Sequence, residues 1–536
     1  MKYLIALTGI IVITMCSYSL KGNNIQITNV SLEGQVFTDQ YVFVEFDISW
    51  ENSWRTSAIP ANHDAAWIFV KYRLAGMEWH HMILNQAGYF SPSGSTIQIT
   101  SDSVGAFIYR DSNGSGSVSW NDVRFKWDYG QAGIADDALV EVRVYGIEMV
   151  YILEDSFYVG DDSADYHFHQ GNDSDSPYYI TSEGSIVINN TSSSELWALA
   201  YIESGTLPAA YPKGYNDVYC MKYETSQEQY VEFINTLDRT QQNNRTGTNI
   251  SGTPITNVYV MSNSSTKKNR NGIQCNTEIG TSDPVNFYCN YNGDGNINDW
   301  DDGQNIPCNF VSWLDAAAYL DWSGLRPMTS LEFEKICRGP NPVVKGEYVW
   351  GTTTILYANY TVVNQGTGDE LIENMGNAVG NCFHMYSLQG IGSDNEGPLR
   401  CGIFAASSPN HTRVETGSAY YGVMEMGGNM PEIMVNNYDA AGRSFTGLHG
   451  NGALDVDGYA DVDYWPGING NGSESTPNGV YGGTTGVTDD AGIGIRGGFF
   501  SASDDQARIS DRANPYGSLF TVRAEIFGIR GCRTAP

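Results

Sequence analysis

Six oxygen-bearing side chains between Asn290 and Asp301 stand at a spacing that suits a hard cation. Asn290, Asn292, Asp294, Asn296, Asn298 and Asp301 fall at places 1, 3, 5, 7, 9 and 12 of one stretch, with Gly295 at place 6. Calcium takes six to eight oxygen ligands, and a glycine at the sixth place permits the sharp turn that wraps such a loop round the ion. Calcium is therefore the expected cofactor, against the alternative of an Asn/Gly/Asp-rich surface turn with no ion. Cys289 and Cys308 bracket the stretch and could staple it.

Other candidate ligands are sparser. His167 and His169 are two residues apart, which puts both rings on one face of a strand at a spacing compatible with zinc or copper. No third ligand lies nearby in sequence, so an accidental pair is expected. His80 and His81 are adjacent on a strand-like stretch and point to opposite faces, where they cannot share a metal. The chain carries no Gly-x-Ser-x-Gly elbow, no phosphate loop and no His-Glu-x-x-His element.

The elements that would position these residues divide the chain in two, as 536 residues demand. Residues 1–22 have a basic start at Lys2, an apolar run from Tyr3 to Met15 and small residues at Ser17, Ser19 and Gly22, the pattern of a secretory signal peptide. A lipoprotein signal acylated at Cys16 is the alternative, but Met15 stands where that cleavage site wants a small side chain. Residues 23–144 alternate polar and apolar side chains in short runs such as YVFVEFDISW and AAWIFVKYRL, separated by Gly, Asn, Asp, Ser and Pro clusters. Such runs predict an antiparallel β-sandwich. No second apolar run approaches membrane-spanning length.

In residues 145–536, Thr225 with Glu228, Ser312 with Asp315 and Thr329 with Glu332 each place an acid three residues after a hydroxyl, just ahead of an apolar periodic run. That is the capping-box pattern of a helix start. Tyr230, Phe233, Ile234 and Leu237 share one helical face, as do Ala316, Tyr319 and Leu320, and Gly324 and Gly339 stand where helices should stop. Few further helices are expected. Residues 161–194 and 447–487 predict loop insertions with little regular structure, and 289–308 a calcium-loop insertion.

Eight cysteines follow residue 200, an even number that suggests disulfides in an exported chain, with buried free thiols as the alternative. The formal charge of −32 repels nucleic acid and anionic membranes and favours divalent cations.

Five ordered motifs carry a family resemblance. YGIEMVYILEDSFYVGD, CMKYETSQEQYVEF, NFVSWLDAAAYLDWSGLRPMTSLEFEKICRG, GVMEMGGNMPE and the pair RGGFF with FGIRGCR resemble, in order, the formylglycine-generating-enzyme (sulfatase-modifying factor) family. The resemblance implies a C-type-lectin-like fold rich in irregular structure. It also implies two copper-binding catalytic cysteines five apart after the Arg-Gly-Gly element. Counted from Gly498, those places hold Ala502 and Ala507, and no cysteine occurs between Cys401 and Cys532. A methyl group cannot replace a thiolate in copper or redox chemistry.

The resemblance further implies a calcium site at Gly427, Gly428, Met430 and Glu432, with Pro431 and Ile433 in place of the family's tryptophans, and another fed by Asn359. The three-histidine iron centre of sulfoxide-synthase relatives needs a His-rich helical partner domain, which the strand-like N-terminal part does not offer. In the diversified ligand-binding relatives, the stretch after Arg-Gly-Gly is the binding face. Here it carries Ser501, Ser503, Asp504, Asp505, Arg508 and Arg512. The Asn290–Asp301 stretch resembles EF-hand and dockerin loops, departing at Asn290 for the usual Asp and at Asp301 for the EF-hand Glu.

The expected fold class is an N-terminal all-β sandwich followed by an α+β, C-type-lectin-like domain. The expected function is that of an exported, calcium-stabilised, non-catalytic protein of the cell surface or extracellular space. Its partners would be a protein or glycan ligand, or further copies of itself, and not nucleic acid. An oxidase of formylglycine-generating type using a non-cysteine site is the alternative.

Overall fold

The computed structural model describes residues 18–19, 24–161, 166–200, 202–250, 258–275, 283–357, 359–385, 396–468, 491–513 and 522–536. Apart from the Tyr18–Ser19 backbone, the expected signal segment lies outside the described residues. So do residues 469–487 of the 447–487 stretch, whose described part, 447–468, forms no helix or strand.

Strand Tyr41–Arg55 shows why a sheet forms first. Val42, Val44, Phe46, Ile48 and Trp50 alternate inward while the residues between them keep contact with solvent. This strand lies between Gln26–Val36 and Gly114–Trp127 in a five-stranded antiparallel sheet, with Tyr18–Ser19 and Tyr89–Phe90 at its edges. Facing it is the second sheet of the sandwich, built on Asp64–Leu74. That strand is apolar on both faces. Ala66, Ile68 and Val70 enter the sandwich core, while Ala65, Trp67 and Phe69 enter the main core of the rest of the chain.

The second sheet therefore has two clients. Its order is Arg326–Pro327, Gly531–Thr534, Val218–Met221, Val140–Ile152, Asp64–Leu74, Ala106–Arg110 and Ser95–Ile99, all antiparallel. The long strand Val140–Ile152 pairs with Leu74–Asp64 from Val140 to Val150, and with Met221–Val218 from Met149 to Ile152. It runs straight through the 144/145 position that sequence patterning offers as a domain limit.

Four capped helices pack on the outer face. Helix α1 is Gln227–Ile234, α2 Arg239–Asn244, α3 Trp313–Trp322 and α4 Ser330–Arg338. The capping boxes of α3 and α4 are Ser312 with Asp315 and Thr329 with Glu332, as expected. That of α1 is not Thr225 with Glu228 but the next pair, Ser226 with Gln229. Thr225 is committed elsewhere, its amide donating to the Ile529 carbonyl at 2.8 Å. Gly324 and Gly339 follow α3 and α4 with φ of 70° and 65°, conformations that favour glycine. The remaining described helices are short turns such as Ile403–Ser407.

Two expectations are overturned. Residues 161–194 are not plain loop: Phe168–Gln170, Tyr178–Ile180 and Ile186–Ile188 are strands, because their alternate apolar residues Phe168, Ile180, Ile186 and Ile188 reach the main core. The eight cysteines described are buried free thiols, not disulfides. Several are already satisfied by main-chain oxygens, Cys220 at Met221, Cys308 at Asn309 and Cys401 at Glu224. No helix among the described residues is long and apolar enough to cross a membrane.

Trp67 fastens the shared strand Asp64–Leu74 to the main core. Its ring lies tilted against Phe107 and under the Arg533 guanidinium, and its Nε1 donates to the Ser323 carbonyl at 2.8 Å. Trp67→Ala is expected to cost about 3–5 kcal/mol. Since one sheet backs both cores, it should lower a single unfolding transition. Urea unfolding followed by circular dichroism and by tryptophan fluorescence checks this, coincident curves being the expected outcome.

Candidate functional site

The stretch carrying Ala502 and Ala507 is held by a close backbone junction. Strand Glu432–Val435 pairs with Ile493–Arg496, which leads into Gly497 and Gly498. Both glycines have positive φ, and a Cβ on Gly497 would lie 2.5 Å from the Glu432 carboxylate and 2.7 Å from the Met426 carbonyl. No other residue fits there. Gly428 N donates to Gly497 O at 2.7 Å, Phe500 N to Asn429 O at 2.9 Å, Asn429 N to Phe383 O at 2.9 Å and Met385 N to Ala502 O at 2.9 Å. Three chain segments thus meet under one surface.

On that surface Asp504 opens a short 3-10 turn, Asp504–Ala507. Its carboxylate accepts from the Tyr348 hydroxyl at 2.8 Å and the Tyr357 hydroxyl at 2.7 Å. Burial opposes its ionisation, but the two hydroxyls overcome this and hold its pKa below the usual carboxylate value. The Arg508 guanidinium lies 5.8 Å from the Tyr348 ring centre, and Tyr348 stacks on Trp350. Tyr357 is 67% exposed and meets the His384 ring edge-on at 6.0 Å. Burial lowers the His384 pKa, so its imidazole is neutral at pH 7.

Of the expected ligand-binding residues, Ser503 and Asp505 are exposed and Ser501, Asp504 and Arg508 half-buried. Arg512 is buried, its guanidinium 3.9 Å from the Phe168 ring centre, so it faces the core. Ala502 and Ala507 are both buried, Ala507 in the cluster of Tyr348, Val349, Trp350 and Cys382. Burial pushes the Cys382 thiol far up, which keeps it protonated and disfavours metal binding. Tyr348, Tyr357 and His384 carry no local sequence signal; their link to Asp504 spans more than a hundred residues.

Beneath this surface lies an acidic core. The structure brings Gly427, Gly428, Met430 and Glu432 together, but Glu432 Oε1 takes Arg530 Nε at 3.1 Å. Arg530 also donates to the carbonyls of Met221 and Met424. Glu224 accepts from Asn429 Nδ2 and Met430 N, and Glu425 from Gly402 N. Burial pushes the Glu432 carboxyl up to about 7 despite Arg530, and raises Glu224 and Glu425 likewise. A guanidinium supplies the positive charge at Glu432. Asn359 lies on an exposed turn, its carbonyl accepting from Asn374.

In the Asn290–Asp301 stretch, Asn292 Oδ1 accepts from Asp294 N, Asp294 Oδ1 from Asn296 N, and Asn292 Nδ2 donates to Asp301 Oδ1 at 3.1 Å. Asn298 closes the loop by accepting from Cys289 N. The side chain missed by the spacing rule is Asp302. Its Oδ2 accepts from Asp299 N, while its Oδ1 and the Asn290 Oδ1 are buried without a hydrogen-bond partner. Burial, with Asp301 and Asp294 close by, pushes Asp302 up to about 6.

His167 and His169 do meet, ring centres 5.8 Å apart, but His167 Nε2 and His169 Nδ1 each contact a backbone carbonyl. No group of three metal-binding side chains occurs among the described residues. His80 and His81 turn to opposite sides, His80 towards Tyr72 and His81 towards Phe69.

Among known families, a model described as the sulfatase-modifying factor enzyme 1-like domain matches residues 184–530. No curated protein matches the chain.

Proposed function

Since the chain belongs to the sulfatase-modifying factor enzyme 1-like family, we propose that it is a non-catalytic member working by contact with a protein or glycan, or with copies of itself. The observation that carries this reading is the pair Ala502 and Ala507 buried at the places where the family resemblance implies catalytic cysteines. Methyl groups bind no copper, and the nearby Cys382 is held as a thiol. The Tyr3–Met15 run supports export to the cell surface or extracellular space.

The surface left in place of a redox centre suits recognition. Tyr357 offers an exposed ring, Asp504 a fixed acceptor and Arg508 a donor, all on a rigid junction. On an array of glycans and surface proteins the purified chain should give a saturable signal. Asp504→Ala and Arg508→Ala should each weaken it about tenfold or more. A signal indifferent to both substitutions would place contact elsewhere.

Calcium stabilisation belongs to the same reading. Two unpartnered buried oxygens, Asn290 Oδ1 and Asp302 Oδ1, are acceptors that a hard cation would satisfy, with Asp294 and Asp301 adding charge. With its pKa raised to about 6, Asp302 takes up a proton below that pH, and calcium would then have to displace it. Excess calcium is therefore expected to raise the melting temperature at neutral pH, and the rise should shrink as pH falls through about 6. Identical melting curves in calcium and in chelator would remove the ion from the account.

A further inference from the structure

Beside the Asn290–Asp301 loop, and lined by none of the Ser501–Arg508 residues, a pocket of about 580 Å³ opens against helix α1. Its volume is that of a small-molecule site, but its lining is largely polar. Trp300 stands in its wall with 63% of its surface exposed. Its backbone is fixed, the Trp300 amide donating to Asp299 Oδ1 at 3.0 Å and its carbonyl accepting from Gly368 N at 3.3 Å. A large ring held in the open beside polar groups is costly to hydrate and gains most from a ligand with a flat apolar face.

Glu232 and Asn305, both lining the pocket and both more than nine-tenths buried, each keep one oxygen, Oε2 and Oδ1, without a hydrogen-bond partner. The Asn305 oxygen is an acceptor, and the Glu232 carboxyl, pushed well above the usual carboxylate range by burial, can accept or donate, so the complementary ligand is rich in hydroxyl groups. Glu228 and Asp299 outnumber Arg143 around the cavity, which repels an anion. One class of ligand combines an apolar ring face, several hydroxyl groups and no negative charge.

We propose that this pocket binds a neutral sugar, with one pyranose face on the Trp300 ring and hydroxyl groups hydrogen-bonded to Glu232 and Asn305. The site is separate from the Asp504 surface and does not depend on it. Its position links it to the calcium-loop segment, since Asn298, Asp299 and Trp300 belong to both.

The test uses the intact protein in calcium-containing buffer, titrated calorimetrically with di- to tetrasaccharides built on glucose, galactose, mannose or N-acetylglucosamine, and with uronic-acid oligosaccharides as the anionic arm. Saturable binding of at least one neutral sugar and none of the uronates is expected. Trp300→Ala should weaken binding by about tenfold or more, and Trp300→Phe should restore part of it. Because Trp300 is exposed, an unaltered melting temperature in Trp300→Ala shows that the fold is intact. Failure of every neutral sugar to bind, preference for the uronates, or binding indifferent to Trp300→Ala would overturn the assignment.

Discussion

Buried guanidinium groups reaching main-chain carbonyls hold the larger part of this chain together. Regular structure there is sparse, so many carbonyls have no partner within a helix or sheet and must find one elsewhere. Arginine, with five fixed donors, is suited to several at once. Arg530 serves Met221, Met424 and Glu432; Arg413 serves Cys337 and Val349; Arg443 serves Glu203, Asn437 and Tyr438. Arg338 serves Tyr158 and the carboxylates of Glu334 and Glu347. Each burial carries a desolvation cost that only this density of bonds offsets. With 29 basic residues against 61 acidic, and many arginines buried, the exterior is left largely to carboxylates.

The same network reaches the sandwich. Arg533 lies over Trp67 and is bonded to Gly324 and to Asp102, so the last strand, α3 and the sandwich close on one another. Val140–Ile152 reinforces this by sharing its ladder between both parts. The Asp504 surface stands on that frame rather than on a mobile loop tip, because the Gly497–Gly498 turn fixes it against Gly428 and Glu432.

Much of this was legible in the residues. Period-two runs revealed the sandwich strands, and hydroxyl-acid spacing revealed the starts of α3 and α4. At α1 two neighbouring boxes competed, and the choice fell to a long-range bond from Thr225 to Ile529 that spacing cannot express. The short strands in 161–194 were hidden because each has only two inward residues among polar neighbours. Asp302 escaped because the loop rule ends one residue earlier, and Tyr348, Tyr357 and His384 because only the fold brings them to Asp504. The cysteine count misled, since an even number implies pairing only where thiols face one another and not carbonyls.

The central proposal is that an inherited oxidase scaffold is used here for contact, with alanine where thiolates would bind copper. The most direct measurement is copper content and thiol consumption of the purified protein, loaded with copper and offered a cysteine-containing peptide under oxygen. The account predicts no retained copper at the Ala502 and Ala507 site and no peptide thiol loss above the protein-free control. Stoichiometric copper together with catalytic thiol oxidation would contradict it.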